Sequence, residues 1–162
     1  MHLYLVRHAT AEDRADGFDH PDRALTDDGH REAALAARAL AVMGIEPDAV
    51  VTSPYRRAVE TARPISSVLD APMIEDRRLE PGFTPAEFSA LWDRHGDARS
   101  LILVGHEPDL SELIEYLTGA KVKMPKSGIA RVEATPVRAR GELNWLLRPK
   151  QLRLIASARV TA

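Results

Sequence analysis

The stretch Leu3-Tyr4-Leu5-Val6, followed at once by Arg7-His8, decides the fold of this 162-residue chain. A continuous apolar run of this kind is typical of a strand that is buried on both faces of a parallel sheet. Two further runs, Ala49-Val50-Val51 and Leu101-Ile102-Leu103-Val104, have the same character. Because a helical pattern follows each run, the sequence predicts a mostly parallel sheet with helices on both faces.

The predicted helices carry their own start and stop signals. The first is predicted over Thr26–Met43, with its first residue as N-cap and Gly44 as the left-handed residue beyond its end. The second is predicted to begin at Ser53-Pro54, the serine being the N-cap and the proline the first helical residue. The third opens at Glu107-Pro108 and closes at Gly119.

The last quarter of the sequence changes character. Residues 130–134 alternate between apolar and polar side chains, which indicates a strand with one wetter face. A turn-prone stretch through Gly141 leads to Leu143-Asn144-Trp145-Leu146-Leu147, and we expect the two segments to pair antiparallel. Residues 1–162 are therefore predicted to form one three-layer α/β/α domain, whose mostly parallel sheet has an antiparallel C-terminal edge.

Composition limits the classes of function. Apolar residues make up 44% of the chain and charged residues 28%, as in an ordinary globular protein, and the net charge of −2 favours neither nucleic-acid nor membrane partners. The absence of cysteine excludes disulfides, thiolate metal sites and cysteine nucleophiles. The N-terminal apolar stretch is too short for a signal peptide, and no window approaches the roughly 18 apolar residues of a membrane helix. We therefore expect a cytoplasmic protein.

Polar residues of unusual type follow the three predicted strands. Arg7-His8 follows the first, Ser53-Pro54-Tyr55-Arg56-Arg57 the second and Gly105-His106-Glu107 the third. In open α/β sheets ligands bind beyond the carboxyl ends of the strands, where helix N-termini add free N–H groups and a positive dipole end. Histidines, arginines and helix N-termini together predict a site for an anion with several oxygens, most simply a phosphoryl group.

These side chains can divide the work of phosphoryl transfer. A neutral imidazole at His8 can attack phosphorus, provided that its other ring nitrogen is held by an acceptor. Arg7 and Arg57 can bind the non-bridging oxygens in fork geometry and stabilise their charge. His106, protonated beside a bound dianion, can donate to a third oxygen. Water would then attack the phosphohistidine and release inorganic phosphate.

Three motifs carry a family resemblance. They are Arg7-His8-Ala9-Thr10, Ser53-Pro54-Tyr55-Arg56-Arg57-Ala58-Val59-Glu60-Thr61-Ala62 and Gly105-His106, and the element Leu25-Thr26…Gly29 agrees with them. Together they resemble the histidine phosphatase superfamily, which also contains the cofactor-dependent phosphoglycerate mutases. The resemblance runs through nearly the whole chain and implies a phosphoglycerate mutase-like fold.

Within that superfamily the short chain is similar to the SixA-type phosphohistidine phosphatases. The ending Gly128-Ile129-Ala130, followed by Asn144-Trp145, shares in this similarity. The resemblance implies that His8 is the nucleophile. In the Ser-Pro-x-x-Arg-Ala pattern the functional arginine falls on Arg57 rather than Arg56. The implied phosphate pocket consists of Arg7, Arg57 and His106.

Four positions leave the assignment open. The family usually has glycine after the nucleophilic histidine, whereas this chain has Ala9, which is small enough to keep the pocket intact. Glu80 is the local candidate for a proton donor, and the alternative is a surface or loop-fixing residue. Thr10 can contact phosphate or form a turn hydrogen bond. Ser53 suits a helix cap better than a phosphate ligand.

The remaining histidines and arginines suit the surface. A zinc site on His8 and His106 lacks supporting ligand spacing, so neither a metal nor a cofactor is predicted. The following residues are expected to be solvated, although the arginines could also rim the pocket: His2, His20, His30, His95, Arg23, Arg77 and Arg78.

The leading interpretation is hydrolysis of phosphohistidine on a protein partner, either a histidine phosphotransfer domain or a phosphotransferase-system component, with inorganic phosphate as product. The short stretch between Leu79 and Leu101 leaves little chain for a lid, and an open site can admit a side chain of another protein. One alternative is a phosphatase for small phosphate esters. Another is a phosphate-binding module without turnover, against which His8 argues, since binding alone needs only arginines and N–H groups.

Overall fold

The three apolar runs form the centre of one sheet. The structure is a computed structural model that describes residues 1–14, 16–135 and 140–158. Within these ranges the strands are β1 His2–Arg7, β2 Ala49–Thr52, β3 Met73–Glu75, β4 Ser100–Gly105, β5 Ile129–Glu133 and β6 Glu142–Leu147. The helices are α1 Asp27–Val42, α2 Arg56–Leu69, a 3-10 helix Arg77–Leu79, α3 Pro85–His95, α4 Asp109–Thr118 and α5 Pro149–Ser157.

The sheet has the order β3-β2-β4-β1-β5-β6. The first four strands are parallel, whereas β5 runs antiparallel to β1 and β6 antiparallel to β5. Strands β1 and β4 lie in the middle and pair Leu3 with Leu101 and Leu5 with Leu103. The predicted architecture, a mostly parallel sheet with an antiparallel C-terminal edge, is confirmed.

Alternate side chains of the central strands serve two separate cores. Leu3 and Leu5 point to the face covered by α3 and α4, in a cluster with Leu91 and Ile114. The residues between them point to the opposite face, which α1, α2 and α5 cover with small and branched side chains. Because successive side chains of a strand alternate between faces, a fully apolar strand requires helices on both sides. The three-layer prediction is therefore confirmed.

The predicted ends of α1 and α4 agree with the structure. The Thr26 hydroxyl accepts a hydrogen bond from the Gly29 amide at 3.1 Å, which is the geometry of an N-cap. Gly44 and Gly119 have φ values of 67° and 77°, a left-handed conformation that a residue without a side chain adopts freely. The chain therefore leaves both helices where the glycines allow a sharp change of direction.

The predicted start of α2 is wrong by two residues. The helix begins at Arg56, and Tyr55 rather than Ser53 occupies the N-cap position. The Ser53 side chain is fully buried, and its hydroxyl lies 2.8 Å from a ring nitrogen of His106. This hydroxyl therefore contacts the residue that follows β4. Four elements in the described ranges had no counterpart in the sequence prediction: β3, the 3-10 helix, α3 and α5.

The missed elements are short or weakly patterned. Strand β3 has three residues, and its side chains are only partly buried, so it lacks the apolar run of the central strands. Helix α3 does begin with a usable signal, because Thr84 and Glu87 form a reciprocal capping box ahead of Phe88. None of the described helices is long and apolar enough to cross a membrane. The predicted single domain also includes residues 15, 136–139 and 159–162, which lie outside the described residues.

Gly29 packs so closely on the loop after β1 that it leaves no room for a side chain. A Cβ atom at this position would lie 2.0 Å from the backbone carbonyl oxygen of Thr10. That oxygen also accepts hydrogen bonds from the Thr26 amide at 3.0 Å and the Thr26 hydroxyl at 3.2 Å. The start of α1 is thus tied to the segment that follows His8.

We predict that Gly29→Ala lowers the free energy of unfolding by about 1–3 kcal/mol in urea denaturation, because overpacking a contact with backbone costs that much. Helix propensity alone would change the stability in the opposite direction, by up to about 1 kcal/mol. Arg38→Ala, on the exposed side of α1, is the control and should change stability by less than about 0.5 kcal/mol. A variant G29A more stable than the parent protein would contradict the close contact.

Candidate active site

The carboxyl ends of β1, β2 and β4 open into one cavity of about 540 Å³. The parallel strands bring their following residues to the same edge of the sheet, as the sequence predicted. Arg7, His8, Arg57 and His106 all line this cavity. The four side chains to which the sequence assigned phosphate chemistry are therefore brought together, although they come from three distant parts of the chain.

His8 is held in one orientation by its own neighbour. Its Nδ1 lies 2.8 Å from the Ala9 carbonyl oxygen, so this nitrogen carries the proton and donates it. The other nitrogen, Nε2, lies 3.3 Å from Arg57 Nε and accepts from that guanidinium. The lone pair of Nε2 is therefore directed toward the cationic part of the cavity.

Ala9 fits where the family usually has glycine. The residue is fully buried, and its amide donates to the Thr61 hydroxyl at 3.0 Å. Among the described residues other than glycine, only Asp70 and Ser127 have positive φ values, so the backbone of Ala9 is in a region that alanine adopts without strain. The departure from glycine leaves the position of His8 intact.

The surroundings of His8 keep its imidazole uncharged at neutral pH. Burial lowers the pKa of His8 to about 4, and the positive charges of Arg57 and Arg7 contribute to the same shift. The hydrogen bond to the Ala9 carbonyl opposes this shift but does not reverse it. An uncharged ring with a free Nε2 lone pair is the form of histidine that can act as a nucleophile.

Arg57 is the most buried charged residue of the site, with 1% exposure. Besides His8, its guanidinium reaches the His20 carbonyl oxygen at 3.1 Å and the Asp19 carboxylate at 2.8 Å. Arg56 points the other way: its side chain is 57% exposed and pairs with Glu60 at 2.8 Å. The structure therefore brings the second of the two neighbouring arginines into the cavity.

The surroundings of His106 keep its ring neutral, whereas the sequence analysis expects a protonated ring beside a bound phosphate. Burial, followed by the charges of His8 and Arg57, lowers its pKa to about 3. Its Nε2 lies 2.8 Å from Ser53 Oγ, and its Nδ1 accepts from Arg57 NH2 at 3.3 Å. A bound dianion would add negative charge beside the ring and raise the pKa again. Protonation of this ring is thus coupled to anion binding.

Arg7 spans the far side of the cavity. One guanidinium nitrogen donates to the Met124 carbonyl oxygen at 2.8 Å, while its Nε is buried and has no hydrogen-bond partner within the described ranges. Burial lowers the pKa of Arg7 from its ordinary value, and the charge of Glu107 opposes that shift. The remaining donors of this arginine are available to an anion in the cavity.

Asp19 lines the cavity although it was not assigned from the sequence, and Arg23 takes the rim position that the sequence analysis gave as an alternative to a solvated surface. Asp19 binds Arg57 and also accepts a hydrogen bond from Arg23. Burial raises the pKa of Asp19, but Arg23 and Arg57 together lower it below its usual value. Both residues lie in the irregular segment between β1 and α1, where no strand end or helix cap marks a position in advance.

Glu80 and Thr10 are not among the described residues that line the cavity. The Glu80 carboxylate pairs with Arg77 at 3.0 Å, because both belong to the turn around the 3-10 helix. The Thr10 hydroxyl and amide both bind the Glu32 carboxylate, at 3.2 Å and 3.0 Å. These contacts tie Thr10 to helix α1 and are neither the phosphate contact nor the turn hydrogen bond that the sequence analysis considered.

The other histidines do not approach the site with their rings. His20 and His30 are exposed, and the His20 ring pairs with Asp16, although its carbonyl oxygen accepts from Arg57. His2 and His95 are half-buried. In the part of the chain that the structure describes, no group of three His, Asp or Glu side chains is arranged to hold a metal ion.

Sequence comparisons found a matching family and a similar protein. The sequence profile of the histidine phosphatase superfamily (branch 1) matches residues 3–81. An uncharacterized protein of Picosynechococcus sp. is 34% identical over 94% of this chain and 99% of its own length.

Two solved structures are informative about the fold. The protein histidine phosphatase SixA in complex with tungstate superposes with a TM-score of 0.82 and 25% identity, over 94% of this chain and 99% of that one. The α-ribazole phosphatase of Shigella flexneri superposes with a TM-score of 0.77 and 18% identity, over 92% and 97% of the two chains. The second likeness extends to the fold alone.

We predict that Arg57→Lys weakens the binding of inorganic phosphate by about tenfold or more, because lysine offers a point charge where arginine offers a planar fork. Isothermal titration calorimetry measures this affinity directly. Arg56→Lys is the matched control and should change affinity by less than about twofold, since Arg56 pairs with Glu60 at the surface. Equal losses in the two variants would exclude a specific contact by Arg57.

Proposed function

The chain belongs to the histidine phosphatase superfamily, and from this premise we propose that it is a SixA-type phosphohistidine phosphatase that acts on a protein through a covalent phosphohistidine at His8. The observation that carries the proposal is the state of His8. Its ring is uncharged, its Nδ1 proton is held by the Ala9 carbonyl, and its Nε2 adjoins a buried arginine in the cavity. These are the requirements of an imidazole nucleophile for phosphorus.

The first step transfers the phosphoryl group to the enzyme. Arg7 and Arg57 bind the non-bridging oxygens of the substrate and hold phosphorus in line with His8 Nε2. A bond forms between Nε2 and phosphorus while the substrate's P–N bond breaks, and its electron pair stays on the substrate nitrogen, which takes up a proton. The positive charge that develops on the His8 ring is stabilised by the hydrogen bond from Nδ1 to the Ala9 carbonyl.

The second step restores the enzyme. A water molecule attacks phosphorus, the bond from phosphorus to Nε2 breaks, and inorganic phosphate leaves. His106 becomes protonated when the anion binds and donates a hydrogen bond to a phosphoryl oxygen from Nδ1, the nitrogen that adjoins Arg57. The proposal gives no role in these steps to Glu80 or Thr10, because their side chains bind Arg77 and Glu32.

A protein substrate suits the surroundings of the cavity. The stretch between the 3-10 helix and β4 contains α3, whose Phe88 and Leu91 are buried in the core. This stretch therefore packs against the sheet and does not form a lid over the cavity. The cavity wall includes Glu12, Asp13 and Lys126, a polar rim that can meet the hydrated surface of a partner. We infer that a phosphohistidine side chain projecting from a histidine phosphotransfer domain or a phosphotransferase-system component enters here.

A phosphatase for small phosphate esters is the second candidate. It is favoured by the fold shared with an α-ribazole phosphatase, since one fold can serve substrates of different size. A pure phosphate-binding module is disfavoured by His8, because binding requires the arginines but does not require an uncharged imidazole beside them.

We predict that labelled phosphoenzyme can be trapped from the wild-type protein and not from His8→Ala. The donor is a histidine phosphotransfer domain phosphorylated chemically with labelled phosphoramidate, and the reaction is quenched in denaturant without acid, because the P–N bond is acid-labile. His30→Ala, which removes an exposed histidine, is the control and should retain the label. Label that persists in H8A would show that another residue accepts the phosphoryl group.

We also predict that kcat/KM for the phosphorylated domain exceeds that for sugar and nucleotide phosphates by about 100-fold or more, because only a protein can add contacts outside the cavity. Phosphate release is measured for the whole panel under the same conditions. A higher kcat/KM for a small ester would select the second candidate. Binding of the phosphorylated domain without release from any substrate would select the binding module.

A further inference from the structure

One carboxylate in the cavity has no role in the steps above. Glu107 follows His106 directly, precedes α4 and lines the same cavity as His8 and Arg7. Its Oε2 atom is buried and has no hydrogen-bond partner among the residues that the structure describes. A buried carboxylate oxygen without a donor is costly, so its presence beside an anion site asks for a functional explanation.

The other oxygen of Glu107 is firmly held. Oε1 accepts from the Ser111 hydroxyl at 2.7 Å, and that hydroxyl accepts from the Met124 amide at 3.0 Å. The Met124 carbonyl in turn accepts from Arg7 at 2.8 Å. Both Glu107 and Arg7 are thus held through Met124. Each also has one buried atom without a hydrogen-bond partner among the described residues: Oε2 of Glu107 and Nε of Arg7.

Such a pair suits a group that both accepts and donates hydrogen bonds. A phosphoryl oxygen can accept from Arg7 Nε, whereas Glu107 Oε2 can only receive a proton when it is ionised or give one when it is protonated. A carboxylate beside a phosphoryl dianion is repelled unless a proton lies between them. A proton that moves to and from the Glu107 carboxylate during the reaction would therefore explain why this side chain lies beside the phosphate site.

We propose that Glu107 is the proton-transfer residue of this site, a role that rests on the proposed function. In the second step its Oε2 takes a proton from the attacking water, whose oxygen bonds to phosphorus while the electron pair returns to His8 Nε2. Glu107 then releases this proton to solvent, and the substrate nitrogen takes its proton from solvent in the first step. Over the cycle one water is consumed and phosphate leaves.

This role differs from that considered for Glu80. Glu80 pairs with Arg77 outside the cavity, whereas Glu107 has a buried, unpaired oxygen in the cavity wall. The leaving group determines how much the first step depends on an acid, since an imidazole leaves more readily than an alcohol. The second step needs a base for water whatever the substrate, so the lifetime of the phosphoenzyme is the sharper measure.

The test compares Glu107→Gln with the wild-type protein in single turnover, using the same labelled phosphotransfer domain. Glutamine keeps an oxygen for Ser111 but cannot take a proton from water. We expect the phosphoenzyme of E107Q to persist at least about tenfold longer, and Glu107→Asp to recover part of the loss. Glu112→Gln, the same change at an exposed position of α4, should decay at the wild-type rate.

The outcomes separate this proposal from the one on which it rests. Loss of label in H8A concerns the nucleophile, whereas accumulation of label in E107Q concerns the proton. A phosphoenzyme lifetime in E107Q within about twofold of the wild-type value would overturn the role of Glu107 while leaving His8 in place. Weaker binding of inorganic phosphate by E107Q with an unchanged lifetime would also overturn it, because that is the signature of a structural contact to Arg7.

Discussion

The buried guanidinium of Arg57 is the constraint on which the rest of the site depends. It meets His8 Nε2, His106 Nδ1, the His20 carbonyl and the Asp19 carboxylate, which come from three separate parts of the chain. A charge with 1% exposure is tolerated only where such partners surround it. Its presence also disfavours a second positive charge nearby, which contributes to keeping both histidine rings neutral. One side chain thus organises the geometry and the protonation state together.

Among the described residues, positive side chains outnumber carboxylates along the cavity wall by one. The positive ones are Arg7, Arg14, Arg23, Arg57 and Lys126, and the carboxylates are Glu12, Asp13, Asp19 and Glu107. Burial lowers the pKa of both arginines that the sequence had assigned to the phosphate pocket. An oxyanion in the cavity supplies the missing negative charge and favours the protonated form of His106. Binding and proton uptake are therefore expected to proceed together, as linked equilibria.

Fold and substrate choice are governed by different parts of the molecule. The same three-layer architecture is found in a protein histidine phosphatase and in an α-ribazole phosphatase. The strand ends supply the phosphate-binding site, which every substrate needs whatever its leaving group is. Discrimination has to come from the surroundings of the leaving group: the rim of the cavity, the irregular segment that carries Asp19 and the carboxylate of Glu107.

By itself the sequence determined the central strands, both helix-covered faces and the convergence of His8, Arg57 and His106, because apolar periodicity and strand-end placement are local properties. Tertiary structure alone decided three other matters. The Ser53 hydroxyl lies against His106 two residues before the N-cap of α2, Asp19 binds Arg57 in the cavity, and Glu80 pairs with Arg77 outside it. The physical reason is that a hydroxyl or an ion pair takes whichever partner the folded chain brings within about 3 Å, and irregular segments have no periodicity from which that partner could be predicted.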